Sequence, residues 1–168
     1  GYAFKDNKGT LTRNPGDLVA YGLTTSANTY FANLEVVECD HSEGNDVKGY
    51  CNYCGKIYAA KITDKNGVVS YVEELQESDF SNGNTVVLFS NIDKTLIPNS
   101  SCTINLNGKT ISQIDFAVPD GTLTLRGYGN IGTVNLGYDD IDSTLVIEDA
   151  AYWMRIKIGT LFVNKTTN

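Results

Sequence analysis

Between Cys39 and Gly55 the chain reads Cys-Asp-His-Ser-Glu-Gly-Asn-Asp-Val-Lys-Gly-Tyr-Cys-Asn-Tyr-Cys-Gly, which holds three of its four cysteines and its only histidine. Cys39 and His41 are two residues apart, so an extended backbone projects both side chains to one side. Cys51-x-x-Cys54 followed by Gly55 is the spacing of a turn in which two thiolates converge on one ion, the glycine supplying the backbone freedom that the turn requires. Three thiolates and one imidazole (Cys39, His41, Cys51 and Cys54) make a closed tetrahedral set. Such a set suits a structural Zn²⁺ and leaves no coordination position for a substrate. Two other chemistries fit part of the pattern. Four cysteines could form two disulfides in three connectivities, although that would not account for the only histidine lying inside the cluster. A redox Cys-x-x-Cys is the third reading, but no thioredoxin-like βαβ pattern surrounds it.

Elsewhere the candidates are thinner. Asp139, Asp140 and Asp142, with Arg126 and Arg155, are the residue types that polysaccharide lyases and hydrolases use for Ca²⁺ binding or acid/base work. Acidic runs in turns are more often solvated loops, and three carboxylates within four residues do not by themselves enclose a cation. Tyr128, Tyr138, Tyr152 and Trp153 could form a stacking surface for a sugar or peptide, or could plug the end of a β-structure. Cys102 stands two residues before Ile104 and shares its inward parity, which reads as a small core residue. Gly83-Asn84 and Gly127-Tyr128-Gly129 resemble phosphate loops only superficially, since no helix with a Lys-Ser/Thr start follows them.

The elements that would carry these residues are short strands. One pattern returns from Asn84 to Phe162: Thr85-Val86-Val87-Leu88, Thr103-Ile104-Asn105-Leu106, Thr122-Leu123-Thr124-Leu125 and Thr144-Leu145-Val146-Ile147. Each copy opens on a β-branched Thr and places large apolar residues at its second and fourth positions, the period-2 signature of one buried face. The copies are 18, 19 and 22 residues apart, too close for βαβ units of roughly 30 residues or more. Turns (Asn107-Gly108, Gly127 to Asn130, Glu148-Asp149) and second apolar segments (111–118, 131–136, 154–158) follow three of them. Strand, turn, strand, turn at this period describes a coil of a right-handed parallel β-helix. Its inner columns would be Val86/Ile104/Leu123/Leu145 and Leu88/Leu106/Leu125/Ile147. An antiparallel sandwich is the competing all-β reading.

Upstream, residues 1–38 carry β-type runs (18–23 and 30–37) around an Asn14-Pro15-Gly16-Asp17 turn and form a strand-rich N-terminal unit. Residues 39–58 are the zinc knuckle. Residues 59–168 hold a strand (58–63), an Asn66-Gly67 turn, a short helix and then the coils. The helix is expected over 70–78, where Ser70 and Glu73 make a capping box and Val72 and Leu75 an apolar stripe. It would cover the open edge of the first coil.

Sixteen glycines and ten tyrosines, against one Met and three Pro, suit a β-protein of many turns. The net charge of −7 argues against a nucleic-acid partner, because binding phosphate backbones requires clustered Lys and Arg. No wholly apolar run, 86–89 among them, approaches the ~20 residues of a membrane helix, and the first residues carry no charged-then-apolar leader. The expectation is a cytosolic protein or a piece of a longer exported chain.

The order Cys-x-His, spacer, Cys-x-x-Cys-Gly, strand 58–63, Gly-Asn-Thr-Val-Val-Leu (83–88), Ile-Asn-Leu-Asn-Gly-Lys-Thr-Ile-Ser (104–112) and Leu-Arg-Gly-Tyr-Gly (125–129) resembles large surface proteins of Gram-positive gut anaerobes. Those proteins place a zinc-ribbon-like knuckle before β-helix-type repeats. The resemblance spans about Cys39 to Gly129. It implies export, a cell-surface location and a non-enzymatic structural or adhesion role. The implied partners are other domains of the same protein and a host or dietary glycan or protein. The alternatives are a glycan-binding module and a fragment of a carbohydrate-active β-helix enzyme.

Overall fold

The computed structural model describes residues 2–5, 11–12, 35–39, 44–45, 49–81, 83–137, 141–149 and 155–163. It is strand-rich and nearly free of helix, and the chain divides into two compact units, Gly1–Ile57 and Tyr58–Asn168. In the first unit β1 (Tyr2–Lys5) lies antiparallel between β2 (Leu11–Thr12) and β3 (Glu35–Glu38). β4 (Gly44–Asn45) pairs antiparallel with β5 (Tyr50–Cys51). The expected run 18–23, the 14–17 turn and residues 30–34 lie outside the described residues.

The second unit is built from two sheets that share one core. Its strands are β6 (Ala60–Thr63), β7 (Val69–Val72), β8 (Thr85–Leu88), β9 (Ile92–Leu96), β10 (Cys102–Asn105), β11 (Thr110–Phe116), β12 (Gly121–Gly127), β13 (Gly129–Leu136), β14 (Ser143–Asp149) and β15 (Ile156–Val163). From β8 onward successive strands alternate between the sheets, one ordered β14-β12-β10-β8-β6-β7 and the other β15-β13-β11-β9. Every pairing among β8 to β15 is parallel, which an antiparallel sandwich would not give. Within this unit, among the described residues, only the pairings of β6, with β7 and with β8, are antiparallel.

Two expectations are corrected. Residues 70–78 do not form a helix: Ser70, Tyr71 and Val72 belong to β7, which hairpins back on β6 through the Asn66-Gly67 turn. The turn is held by Asp64, whose Oδ1 accepts the backbone N–H groups of Asn66 and Val68, both at 2.8 Å. These donors, Val68 foremost, hold the Asp64 carboxyl below its ordinary range against a smaller opposing effect of desolvation. The β-branched and aromatic residues of the segment gain more from pairing with β6 than an isolated four-residue apolar stripe gives a helix. The helix among the described residues is one 3₁₀ turn, Glu77–Phe80, entered where the Gln76 N–H donates to Asp79 Oδ2 at 2.8 Å.

The second correction concerns register. Thr103 pairs with Thr85 on one side but with Thr124, not Thr122, on the other. The aligned inner residues are therefore Val86, Ile104, Leu125 and Ile147 in one column, and Cys102, Leu123 and Leu145 in the next. A two-residue slip keeps the parity of every side chain, so the inward set is unchanged while the neighbours change. The opposite face carries Thr63, Thr85, Thr103 and Thr124 side by side, with Asn105, Arg126 and Glu148 alongside.

Val86, Leu88, Ile104, Leu106, Leu123 and Leu125 from one sheet meet Ile111, Ile114, Phe116, Ile131 and Val134 from the other in one cluster, all at 2% exposure or less. The last pair of strands differs: Ile147 is 47% exposed, and so is Leu161. Within the β15-β13-β11-β9 sheet, neighbouring strands approach closely where a side chain would not fit. A Cβ on Gly132 would run into the Ser112 carbonyl oxygen, and one on Gly159 would stand 2.6 Å from that of Gly132.

Burial sets the expected response to truncation. Leu106→Ala, which opens a void in the closed part of the core, should cost about 2–5 kcal/mol, and Leu161→Ala, already half in water, well under that. Urea unfolding of the two variants checks this, and equal losses would contradict the burial gradient.

Candidate metal centre

The sulfurs of Cys39, Cys51 and Cys54 lie within 4.8 Å of one another. Three local structures bring them there. Cys39 directly follows β3, whose pairing with β1 fixes where the strand ends. Cys51 closes β5. Cys54 sits in the turn after it, where the Gly55 N–H donates to the Cys51 carbonyl (2.9 Å) and the Cys51 N–H to the Lys56 carbonyl (2.8 Å). Gly55 has φ +72°, the left-handed backbone that this turn demands and that a side chain would resist. Cys39 and Cys51 are buried and Cys54 is partly exposed, so the cluster has a sheltered side and an accessible one.

The Cys39 and Cys51 sulfurs are 3.6 Å apart. Two sulfurs bound to one tetrahedral ion at about 2.3 Å each stand about 3.8 Å apart, whereas a disulfide bond is about 2.05 Å. None of the four cysteines is in a disulfide. Three cysteines placed this way could hold a metal ion, and their soft sulfur donors favour borderline or soft cations over Ca²⁺ or Mg²⁺. His41 lies outside the described residues.

The remaining candidates are scattered. Tyr128 is 40% exposed, its ring lying over Gly108, where an added Cβ would approach Tyr128 Cε2 to 2.9 Å. Tyr138, Tyr152 and Trp153 lie outside the described residues, as do Asp139 and Asp140. Asp142 accepts the Asp120 N–H through its backbone carbonyl. Arg126 is engaged by Glu148 at 2.6 Å in an exposed ion pair, a type that contributes little to stability. One feature had no sequence signal: a groove of about 520 Å³ lined by Ala59, Glu73, Glu74, Leu75 and residues 90–94. Reading 70–78 as a helix hid it, because that reading turned Glu73 into a cap.

The chain matches no known family, no curated protein and no solved structure.

Cys102 is separate from the cluster in character. It is 3% exposed in the column with Leu123 and Leu145, and burial pushes its thiol up from 9.0 to about 12. A raised pKa favours the protonated form in the folded state. That contribution to stability is present in full below the unfolded pKa and is lost as pH rises from about 9 through about 12. At pH 8 an alkylating reagent should therefore spare Cys102 in the folded protein and modify it on unfolding. Peptide mapping reads the site, and labelling at the unfolded rate would contradict its burial.

Proposed function

We propose that β8 to β15, within residues 59–168, form a short right-handed parallel β-helix and that the chain is a non-enzymatic structural or adhesion-type module of an exported bacterial surface protein. The observation that carries this reading is the alternation of strands β8 to β15 between two sheets, each new strand stacking parallel on the one two before it around a common core. A chain that progresses this way makes a rod whose coils touch only their neighbours, with turns and polar outer faces free to vary. Right-handedness follows the general rule for parallel crossovers. The resemblance carried by the knuckle and the 104–112 segment supports the surface location, and the partners are other domains of the same protein and a host or dietary glycan or protein.

Within the module, Cys39, His41, Cys51 and Cys54 bind one structural Zn²⁺. The support is the sulfur cluster, whose spacing suits a tetrahedral ion, and the placement of the only histidine two residues after Cys39. Bound zinc would fasten the end of β3 to the β5 turn. The ligands must be deprotonated thiolates and a neutral imidazole, so binding weakens in acid. The core of 58–168 includes none of these ligands, so its fold does not need the ion.

Elemental analysis beside a thiol count tests the site. We expect one equivalent of zinc, lost to a chelator at neutral pH and weakened by His41→Ala, with the amide spectrum of β8 to β13 unchanged on removal. Absence of both metal and titratable thiols would establish disulfides in its place. The module reading has its own test. On a panel of polysaccharides the purified chain should release no product, and turnover abolished by a single carboxylate substitution would make it an enzyme. A glycan-binding reading has one observation of its own, the exposed Tyr128 ring backed by Gly108. Glycan-array binding lost in Tyr128→Ala would favour it.

A further inference from the structure

The two sheets of the second unit end unevenly. Beyond β8 one sheet continues through β6 and β7, whereas the other stops at β9. Among the described residues no strand pairs with the second edge of β9, so a row of backbone donors and acceptors there has no ladder partner. Beside its first half lies the 520 Å³ groove, between residues 90–94 and the segment 73–75 that follows β7. Its apolar lining is Ala59, Leu75 and Ile92, the last two mostly packed into the core at 8% and 5% exposure. Its rim carries Glu73, Glu74 and Asp93 against the single cation Lys94. A sheet edge, an apolar floor and a negative rim are the parts of a strand-addition site. Main-chain bonds supply affinity, alternate side chains fill the floor, and the rim selects charge.

We propose that this groove binds an extended cationic segment of a partner protein, which adds to β9 as a further strand. The recognised segment alternates apolar residues, directed to Leu75 and Ile92, with Lys or Arg directed to Glu74 and Asp93. One strand spaced about 4.8 Å from β9 fits this position. The β6–β7 hairpin bounds it on the other sheet, which disfavours a full second coil. The proposal rests on the strand order and the charge of the rim, and it holds whether or not the chain is a surface module.

The test uses the intact chain and a fluorescent hexapeptide alternating lysine and valine, with two controls: the same composition in two blocks, and an alternating glutamate-valine peptide. The alternating cationic peptide should bind, about tenfold or more tighter than either control. Its amide shifts should concentrate at residues 73–75 and 90–96. Glu74→Gln with Asp93→Asn should weaken it about tenfold, while the melting temperature, which reports folding, stays put. Equal binding of the block peptide would reduce the effect to general attraction by an acidic chain and overturn the proposal, as would shifts elsewhere. Arg155-Ile156-Lys157-Ile158 at the other end of the same sheet has the alternating pattern too. Concentration-dependent self-association, abolished by the double substitution, would assign the groove to a second copy and overturn a separate partner.

Discussion

Parallel pairing in register is the constraint on which the rest of the second unit depends. A strand that lies parallel to its neighbour at about 4.8 Å presents each inward side chain to the one beneath it, so the whole core is decided by which residues fall opposite one another. Val86, Ile104 and Leu125 satisfy this with side chains of similar bulk. On the exposed side of the other sheet, Gly132 and Gly159 fit by subtraction: the carbonyls of Ser112 and Gly132 reach to where the next strand would otherwise carry a Cβ. The polar face obeys the same geometry, which is why four threonines line up across β6, β8, β10 and β12.

The first unit, Gly1–Ile57, is about half the length of the second, Tyr58–Asn168. Its described elements are short antiparallel strands, and the feature that ties distant positions together is the sulfur cluster. Small units of this kind commonly rely on cross-links or ions because their cores bury too little surface to offset chain entropy. The zinc reading and the modest strands therefore support one another physically. The second unit, with a continuous core, has no such need.

Much of this was legible in the residues. Period-2 apolar spacing at Thr85 and Thr103 marked strands and their inner faces, that at Thr144 marked a strand whose Ile147 stands half exposed, and the Asn66-Gly67 pair marked a hairpin turn. The cysteine spacing marked the sulfur cluster. What escaped did so for identifiable reasons. Thr122-Leu123-Thr124-Leu125 reads equally well from either threonine, and a sequence does not say which one stands opposite Thr103. β9, Ile-Asp-Lys-Thr-Leu, hides its strand character behind charged residues that are admissible only because it is an edge. Ser70 and Glu73 satisfy a helix signature, but pairing with β6 overrides local preference.

The gradient of burial along the stack also bears on cooperativity. Among the described residues, each strand from β8 onward is paired only with those directly before and after it in its sheet, and the last two strands have partners on one side alone. Disorder introduced at Leu161 or Ile147 has one layer to disturb, whereas disorder at Ile104 or Leu106 has two. A molecule coupled in this linear way need not lose its structure all at once. Its end layers can open while the middle stays closed, and a single melting temperature averages over layers that let go at different points.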